Sequence, residues 1–262
     1  MQSKLHGYQA TSLDDSTAVE LLTFLLKKNP ESICVRDPNG DLPVKVAASC
    51  QGPQFCKCLI ESLPNQDREE ILQTPELLRI ACSSGLPETV QYFVQLFGPE
   101  CLRIRSPAPV EMAPIHAAVK NDHYSADITR MLLKLDPTLA SFNMTATVFD
   151  FEHPGRLFRK HMLPLHLHLS CSLPSMDVVQ MLFDAHPGAI LVSDPKGDDA
   201  STVIRGMILK LDRASKWKEK RIQKILDFVE KQKEYCTLAH HNDEHLTTPD
   251  ERGRLLLHKA GR

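Results

Sequence analysis

The sequence predicts an all-α fold in which helix–turn–helix units stack into a solenoid. Two observations support this prediction: a short phrase of apolar and small residues recurs along the chain, and a longer phrase rich in leucine and valine recurs beside it. A single unit of this kind cannot bury its apolar face alone, so neighbouring units must stack to build a common core. The composition, 42% hydrophobic and 24% charged, is ordinary for a folded protein.

The short phrase is interpreted as the first helix of each unit. Its copies are GDLPVKVAA (40–48), ELLRIACSSG (76–85), MAPIHAAV (112–119), MLPLHLHLS (162–170), GDDASTVI (197–204) and GRLLLHKA (253–260). Their aligned positions are Pro43, Leu77, Pro114, Pro164, Ala200 and Leu256. The spacings between copies fit a unit of about 33 residues that is lengthened by insertions.

The longer phrase is interpreted as the second helix of each unit and the turn after it. Residues 21–40 match residues 178–197 position by position, and residues 128–143 match the first part of both. Both longer copies end in Asp-Pro-x-Gly, at 37–40 and 194–197, where proline fixes φ and glycine accepts a positive φ. A proline three residues after the first of these turns is suited to begin the next helix.

These phrases resemble the ankyrin repeat family, whose pattern runs D-x-x-G-x-T-P-L-H-x-A-A and then V-V-x-x-L-L. The resemblance implies one degenerate array over residues 1–262, with roughly five to seven full or partial repeats and with interhelical loops that project as fingers. The departures are Leu77, Ala200 and Leu256 in place of proline, and Lys45, Arg79 and Thr202 in place of histidine. Incomplete units at both ends, including Leu5–Ala10, favour a segment of a longer array or a truncated gene product, with atypical caps as the alternative.

Two histidines lie in the phrase LPLHLHLSCS, close to Cys171. His166 aligns with His116, and the resemblance implies that this imidazole ties repeats together by hydrogen bonds. His168 stands where the pattern has alanine, and we interpret it first as a repacked core position. A zinc shell is not expected, because the pair and Cys171 do not supply four ligands and no C-x-x-C motif accompanies them.

The inserted loop 141–161 separates two phrases that are otherwise continuous. Alternation over Thr145–Phe151 predicts a β-finger, and Phe149, Phe151 and Arg156 are candidate interface residues on it. The alternative is that the phenylalanines fold back under the loop as a small apolar cluster.

A charged segment at 210–235 is predicted to be an elongated or inserted helix, since Ile222, Ile225, Leu226 and Val229 follow helical spacing. With Trp217 and many lysines it also has features of a calmodulin-target helix. The run HHNDEH at 240–245 is predicted to be a polar loop.

Bulk properties and missing motifs narrow the function classes. A net charge of -2 gives no overall attraction to nucleic acid or anionic membrane, and no apolar run predicts a signal peptide or a membrane span. Eight scattered cysteines are typical of reduced thiols in a cytoplasmic or nuclear protein. Signatures of nucleotide-binding loops, hydrolases, metalloproteases and kinases are missing, so neither enzymatic activity nor a cofactor is expected.

The resemblance therefore implies a monomeric scaffold or adaptor that binds another protein through its concave face and loop fingers. The candidate contacts are Asp37, Asn39, Arg103, Arg105, Phe149, Phe151, Arg156, Asp194, Lys196 and Trp217. Two alternatives stay open: a module regulated by calmodulin through residues 210–235, and a metal or redox protein that uses His168, Cys171 or the pair Cys56 and Cys58.

Overall fold

The computed structural model describes residues 14–73, 75–107, 110–149, 157–193, 197–210 and 216–247. The predominance of helix predicted from the sequence is confirmed. The chain divides into two compact units: unit 1 contains residues 1–104 and 121–124, and unit 2 contains residues 105–120 and 125–262. In the described part of the chain, no helix is both long and apolar enough to cross a lipid bilayer.

Unit 1 consists of helices that pack in pairs. Its helices are α1 (Asp15–Lys28), α2 (Pro43–Ala48), α3 (Pro53–Ser62), α4 (Asn65–Gln73), α5 (Glu76–Ser84) and α6 (Pro87–Phe97), with 3-10 helices at Pro30–Cys34 and Pro99–Arg103. First helix α2 packs on second helix α3, and α5 packs on α6 in the same way. The two pairs contact each other through α2 with α5 and α3 with α6. Helix α4 was not expected from the sequence.

Unit 2 repeats this pairing and adds a small sheet. Its elements are β1 (Val110–Glu111), α7 (Pro114–Ala118), α8 (Ser125–Leu135), β2 (Met144–Phe149), β3 (Leu157–Met162), α9 (Pro164–Leu169), α10 (Met176–Ala185), α11 (Ala200–Lys210) and α12 (Lys216–Thr247), with 3-10 helices at Pro137–Ser141 and Pro187–Leu191. The pairs α7–α8, α9–α10 and α11–α12 pack in sequence, with α9 between α7 and α11 and with α10 against α8 and α12.

The aligned positions of the short phrase mark helix starts, as predicted. Pro43, Pro114 and Pro164 are the first residues of α2, α7 and α9, where a missing N–H costs nothing and the fixed φ suits a helix. Ala200 likewise begins α11. Both Gly40 and Gly197 have φ of +85°, the left-handed conformation predicted for the turns before these helices.

A second helix followed by a proline-initiated 3-10 helix occurs four times among the described residues, at α1, α6, α8 and α10. The copy at α6, whose tail is GPECLRIRSP, was missed in the sequence analysis. In each copy the proline begins the 3-10 helix and the residue after the 3-10 helix is extended. The structure therefore has more regular repeats than the sequence shows.

The β-finger prediction is confirmed, and the finger belongs to a small sheet within a mostly helical chain. Strands β2 and β3 pair antiparallel from Met144 opposite Met162 to Phe149 opposite Leu157. Strand β1 adds to the other edge of β2, with Val110 opposite Ala146. The residues of Met144–Phe149 alternate and include three β-branched side chains, which favours a strand. This segment therefore forms a strand although the repeats on both sides of it are helical.

The boundaries predicted for the charged helix were wrong at both ends. Lys210 is the last residue of α11, and α12 begins at Lys216 and continues to Thr247. The run 240–245, which was predicted to be a loop, therefore lies in the helix. No proline or glycine occurs between Lys216 and Thr247, so nothing in the local chemistry ends the helix earlier.

Candidate functional site

Buried histidines on two first helices of unit 2 bind the backbone directly after the 3-10 helix of the same helix pair. His116 on α7 has Nε2 2.9 Å from the carbonyl oxygen of Phe142, and the N–H of Ala113 donates to its Nδ1 at 3.2 Å. His166 on α9 has Nε2 2.8 Å from the carbonyl oxygen of Val192. Each acceptor directly follows the 3-10 helix of the same pair. Both histidines make hydrogen bonds, as expected, but each acceptor belongs to the histidine's own helix pair, so these bonds do not tie neighbouring repeats together as the resemblance implied.

Burial sets the charge state of His116. Because the side chain is fully buried, loss of hydration lowers its pKa to about 4, although the hydrogen bond to Phe142 opposes this and nearby Arg105 adds to it. The ring is therefore neutral at pH 7. Since Nδ1 accepts the Ala113 N–H, the proton must lie on Nε2, which donates to Phe142.

His168 ties α9 to the turn between α7 and α8. Its Nδ1 lies 2.6 Å from the carbonyl oxygen of Val119, and the N–H of Ser175 donates to Nε2 at 2.7 Å. These contacts fix the tautomer with the proton on Nδ1. Burial lowers the pKa of His168, with a smaller contribution from the charge of Arg221. The interpretation as a repacked position was incomplete, because both ring nitrogens make hydrogen bonds.

The same kind of contact occurs in unit 1 with other residue types. Thr89 donates from Oγ1 to the carbonyl of Gln51 at 2.7 Å, and Asn121 donates from Nδ2 to the carbonyl of Cys82 at 3.2 Å. Cys82 lies in the last turn of first helix α5 and Gln51 in the turn after first helix α2, so both carbonyls are close to the end of a first helix, as Val119 is in unit 2. Thr89, Asn121 and His168 thus each bond a carbonyl near the end of a first helix. Because the three residues are of different types, the sequence did not reveal that they share this contact.

Unit 1 carries charged residues at the positions of the buried histidines. Lys45 pairs with Glu76 at 2.8 Å and with Asp41 at 3.3 Å, and Arg79 approaches Glu76 at 3.7 Å. These side chains are partly exposed, so the pairs contribute little to stability. The two replacements therefore leave a charged surface between α2 and α5.

The geometry around the cysteines gives no support to a metal or redox centre. In the described ranges, no group of three or more His, Cys, Asp and Glu side chains is arranged to hold a metal ion. Cys56 is buried while Cys58 is partly exposed, and burial raises the pKa of the Cys56 thiol to about 12. A thiol with so high a pKa is a poor nucleophile and a poor metal ligand at neutral pH.

The predicted contact residues Asp37 and Asn39 lie together in the turn before α2. The carboxylate of Asp37 accepts the N–H groups of Asn39 at 2.8 Å and Asp41 at 2.9 Å, and these bonds lower its pKa. The carboxylate of Asp37 therefore stabilises the turn, and its Oδ1 is already occupied by backbone N–H groups. Asn39, in contrast, is exposed at the tip of the turn.

Arg105 and Trp217 are exposed in unit 2, and Arg103 is exposed in unit 1. The guanidinium of Arg105 lies 5.7 Å from the ring centroid of Phe142 and 4.0 Å from the carboxylate of Glu111. Phe149 lies at the end of β2. Phe151, Arg156, Asp194 and Lys196 lie outside the described residues. The described candidates are thus spread over two turns, a sheet and the start of α12.

A recurring exposed apolar position was missed by the sequence analysis. The residue after each 3-10 helix is Val35, Ile104, Phe142 or Val192. Val35, Ile104 and Val192 are 64%, 48% and 44% exposed, and Phe142 is half-buried beneath Arg105. The signal in the sequence was an apolar residue at the same offset from the repeated proline, but only the structure shows that it is uncovered.

Helix α12 is docked through the apolar stripe that the sequence predicted. Ile222, Ile225, Leu226 and Val229 are all buried. Beside the stripe, Lys233 pairs with Asp199, the residue that also accepts the Thr202 N–H before α11. Burial is the largest single effect and raises the pKa of Asp199, but the hydrogen bonds from Lys233 and Thr202, together with the charge of Lys233, outweigh it, so the pKa falls to about 2. This pair therefore anchors α12 to the start of α11.

Replacing Lys233 with methionine should lower the free energy of unfolding by about 0.5 to 1 kcal/mol, because Asp199 loses its charged partner at a position where both side chains are still partly exposed. Urea unfolding followed by circular dichroism measures the change. Lys231→Met, at an exposed position on the same helix, is the matched control and should change stability by less than about 0.5 kcal/mol. Equal effects of the two substitutions would show that the pair does not anchor α12.

In unit 2, buried histidines thus fix the extended backbone after two of the 3-10 helices, and the first residue of each extended stretch, Phe142 or Val192, is apolar. Comparison with protein-family models and with curated protein sequences finds no match to this chain.

Proposed function

We propose that this protein is an interaction module of the ankyrin type, a stacked helical scaffold whose loop segments bind another protein. The observation that carries the proposal is the repeated exposure of a large apolar residue at one repeat position, represented by Ile104 and Val192, with Phe142 under Arg105. A single exposed apolar residue is normal for any protein surface. Recurrence at an equivalent position instead favours a shared role in contact.

The backbone at two of these positions is already fixed. Phe142 and Val192 each give their carbonyl to a buried histidine, His116 and His166. A contact residue that is held in place before binding loses less conformational entropy when the partner arrives. Aromatic and arginine side chains such as Phe142 and Arg105 are also common interface anchors.

Regulation by calmodulin is supported less well. Capture of residues 210–235 would require α12 to leave unit 2, because its apolar stripe is buried. A catalytic role is not proposed, since His116 and His168 use both ring nitrogens to bond the backbone. We further propose that the protein acts as a monomer in the cytoplasm or nucleus, without nucleic acid, membrane or cofactor.

Affinity capture from native lysate, quantified by mass spectrometry, tests the proposal with Val192→Glu as the variant. A charged side chain at an apolar contact should reduce recovery of a specific partner at least tenfold, about 1.4 kcal/mol or more. Leu209→Glu is the matched control, because Leu209 is 86% exposed on α11 but is not at the repeated position. The control should capture the partner as well as the unaltered chain does.

A second variant tests the finger itself. Replacing residues 146–160 with a short turn keeps Met144 and Met162, the first pair of the hairpin, and keeps the Phe142 carbonyl that His116 holds. Reduced capture by this variant would place part of the contact on the finger. If the unaltered chain, Val192→Glu and the shortened finger all captured the same proteins in the same amounts, binding through these segments would be contradicted.

A further inference from the structure

The first turns of α12 carry a concentrated positive charge. The segment 216–224, KWKEKRIQK, contains five lysine and arginine side chains and one glutamate, which gives a net charge of +4 in a chain whose net charge is -2. Four of the five cations are exposed, and Lys218 is partly covered, with Nζ 5.6 Å from the ring centroid of Trp217. The four exposed cations are called the basic face of α12: Lys216, Lys220, Arg221 and Lys224.

The basic face makes no ion pair with any residue that the structure describes. Charged groups further along the same helix are used differently. Lys233 pairs with Asp199, and Glu230 pairs with Arg205, so both ion pairs join α12 to α11 or to the residue before it. The later turns of α12 thus spend their charges on packing within unit 2, whereas the charges of the basic face point to a contact outside it.

This arrangement of charge is unfavourable for the helix itself. Lys216, Lys220 and Lys224 are four residues apart, and like charges at this spacing repel each other on one side of a helix. Lysine in the first turn also lies at the positive end of the helix dipole. Glu219, the acidic residue of the first turn, compensates this charge only in part. An anionic ligand on the basic face would remove the repulsion.

The surface around these cations has more than charge to offer a ligand. An open hollow of about 470 Å³ runs along the helix and is lined by Lys216, Glu219, Lys220, Gln223, Lys224 and Asp227. Within it, the side-chain amide of Gln223 donates to Asp227 at 2.7 Å. Trp217 is 58% exposed and precedes Lys220 and Arg221 by three and four residues, so it lies on the same side of the helix as they do. The surface therefore combines regularly spaced cations, a polar pair and an exposed aromatic ring.

These features distinguish between the kinds of anionic partner. A helix that binds a lipid surface inserts its apolar side, but the apolar stripe of α12, including Ile222 and Ile225, is buried in unit 2. A continuous row of nucleic-acid phosphates would meet Asp227, a negative charge in the same hollow. A protein segment can instead place carboxylates against the lysines and another side chain against Asp227. A helical segment with glutamates four residues apart repeats at the spacing of the three lysines, so it fits best.

We infer that the basic face of α12 is a docking surface for an acidic helical segment of another protein. Glutamates of that segment pair with the lysines, and an apolar side chain of the segment packs on Trp217, since exposed aromatic rings are common interface anchors. Helix α12 stays in unit 2, because this contact uses only its exposed side, whereas capture by calmodulin requires the buried stripe. The inference does not rest on the proposed binding through Val192 and its counterparts, which are not part of the basic face.

Binding of a synthetic peptide to the full chain tests the inference. The probe is a labelled alanine-based helical peptide with three glutamates four residues apart and one leucine beside them, and fluorescence anisotropy measures its binding. Trp217 is the only tryptophan of the chain, so its own fluorescence should change when unlabelled peptide binds. Lys220→Glu with Lys224→Glu should weaken binding at least tenfold. Lys120→Glu with Lys134→Glu, at exposed positions of unit 2 outside α12, makes the same change of charge and should bind as the unaltered chain does.

Reversing the charges on both sides separates a direct contact from a folding defect. A peptide with lysine in place of each glutamate should bind the variant with Lys220→Glu and Lys224→Glu but not the unaltered chain. Raising the salt concentration from 0.1 M to 1 M shortens the Debye length from about 10 Å to about 3 Å and should weaken the original interaction at least fivefold. Circular dichroism should show the same cooperative unfolding for every variant.

Four results would overturn the inference. The first is no binding of the acidic peptide even at millimolar concentration, and the second is equal binding by the α12 variant and its control. Tighter binding of a single-stranded oligonucleotide or of phosphatidylserine vesicles would assign the basic face to those anions. Loss of hydrogen-exchange protection at Ile225 and Val229 would show that α12 leaves unit 2. Val192→Glu should bind the peptide normally, so failure here and failure of the proposed loop contact are distinguishable.

Discussion

Acidification from pH 7 to pH 4 should lower the free energy of unfolding by about 3 kcal/mol through His116 alone. The folded-state pKa is about 4, below the value of 6.5 expected for the unfolded chain, so the unfolded state binds the proton first. The stabilising effect is present above pH 6.5 and is lost as the pH falls toward 4. His168, whose pKa is also lowered by burial, changes stability in the same direction.

Urea unfolding at pH 7, 6, 5 and 4 measures this dependence. His116→Gln should be less stable at pH 7, because it loses the bond with Ala113, but its stability should fall less steeply with pH. Replacement of the partly exposed His186 is the control and should keep the steep dependence. If His116→Gln retained the full pH dependence, the buried imidazole would not be its source.

Gly85→Ala should destabilise unit 1 by about 3 kcal/mol, one of the largest effects of any single methyl group in the chain. An added Cβ would lie 2.5 Å from the carbonyl oxygen of Ala48 and 2.8 Å from that of Ala81. Both contacts are with backbone, so relief requires α2 and α5 to move apart. The φ of Gly85 is -83°, which suits any residue, so the cost is steric and does not come from backbone strain.

Thermal and urea unfolding of two other glycine variants provide the comparison. Gly206→Ala, within α11 and with open space around it, should increase stability by about 0.5 to 1 kcal/mol. Gly40→Ala, also in open space but at φ +85°, should cost about 1 kcal/mol through backbone strain alone. Similar losses for Gly85→Ala and Gly40→Ala would mean that the approach of α2 and α5 is not critical.

The sequence by itself determined the local elements. Pro43, Pro114 and Pro164 fix φ and need no N–H donor, so they begin helices wherever the rest of the phrase is helical. Gly40 and Gly197 supply the positive φ of the turns. The stripe from Ile222 to Val229 predicted which face of α12 is buried, because helical spacing alone places those residues together. These effects act within a few residues.

Only the tertiary structure decided what the departures from the pattern do. Histidine, threonine and asparagine at His168, Thr89 and Asn121 share a role because each reaches a carbonyl that lies more than 35 residues away in the chain. The exposure of the Val192 side chain likewise depends on how the surrounding elements pack, which the sequence does not state. A sequence pattern states which residues are apolar or polar, but their burial and their partners depend on contacts between distant segments.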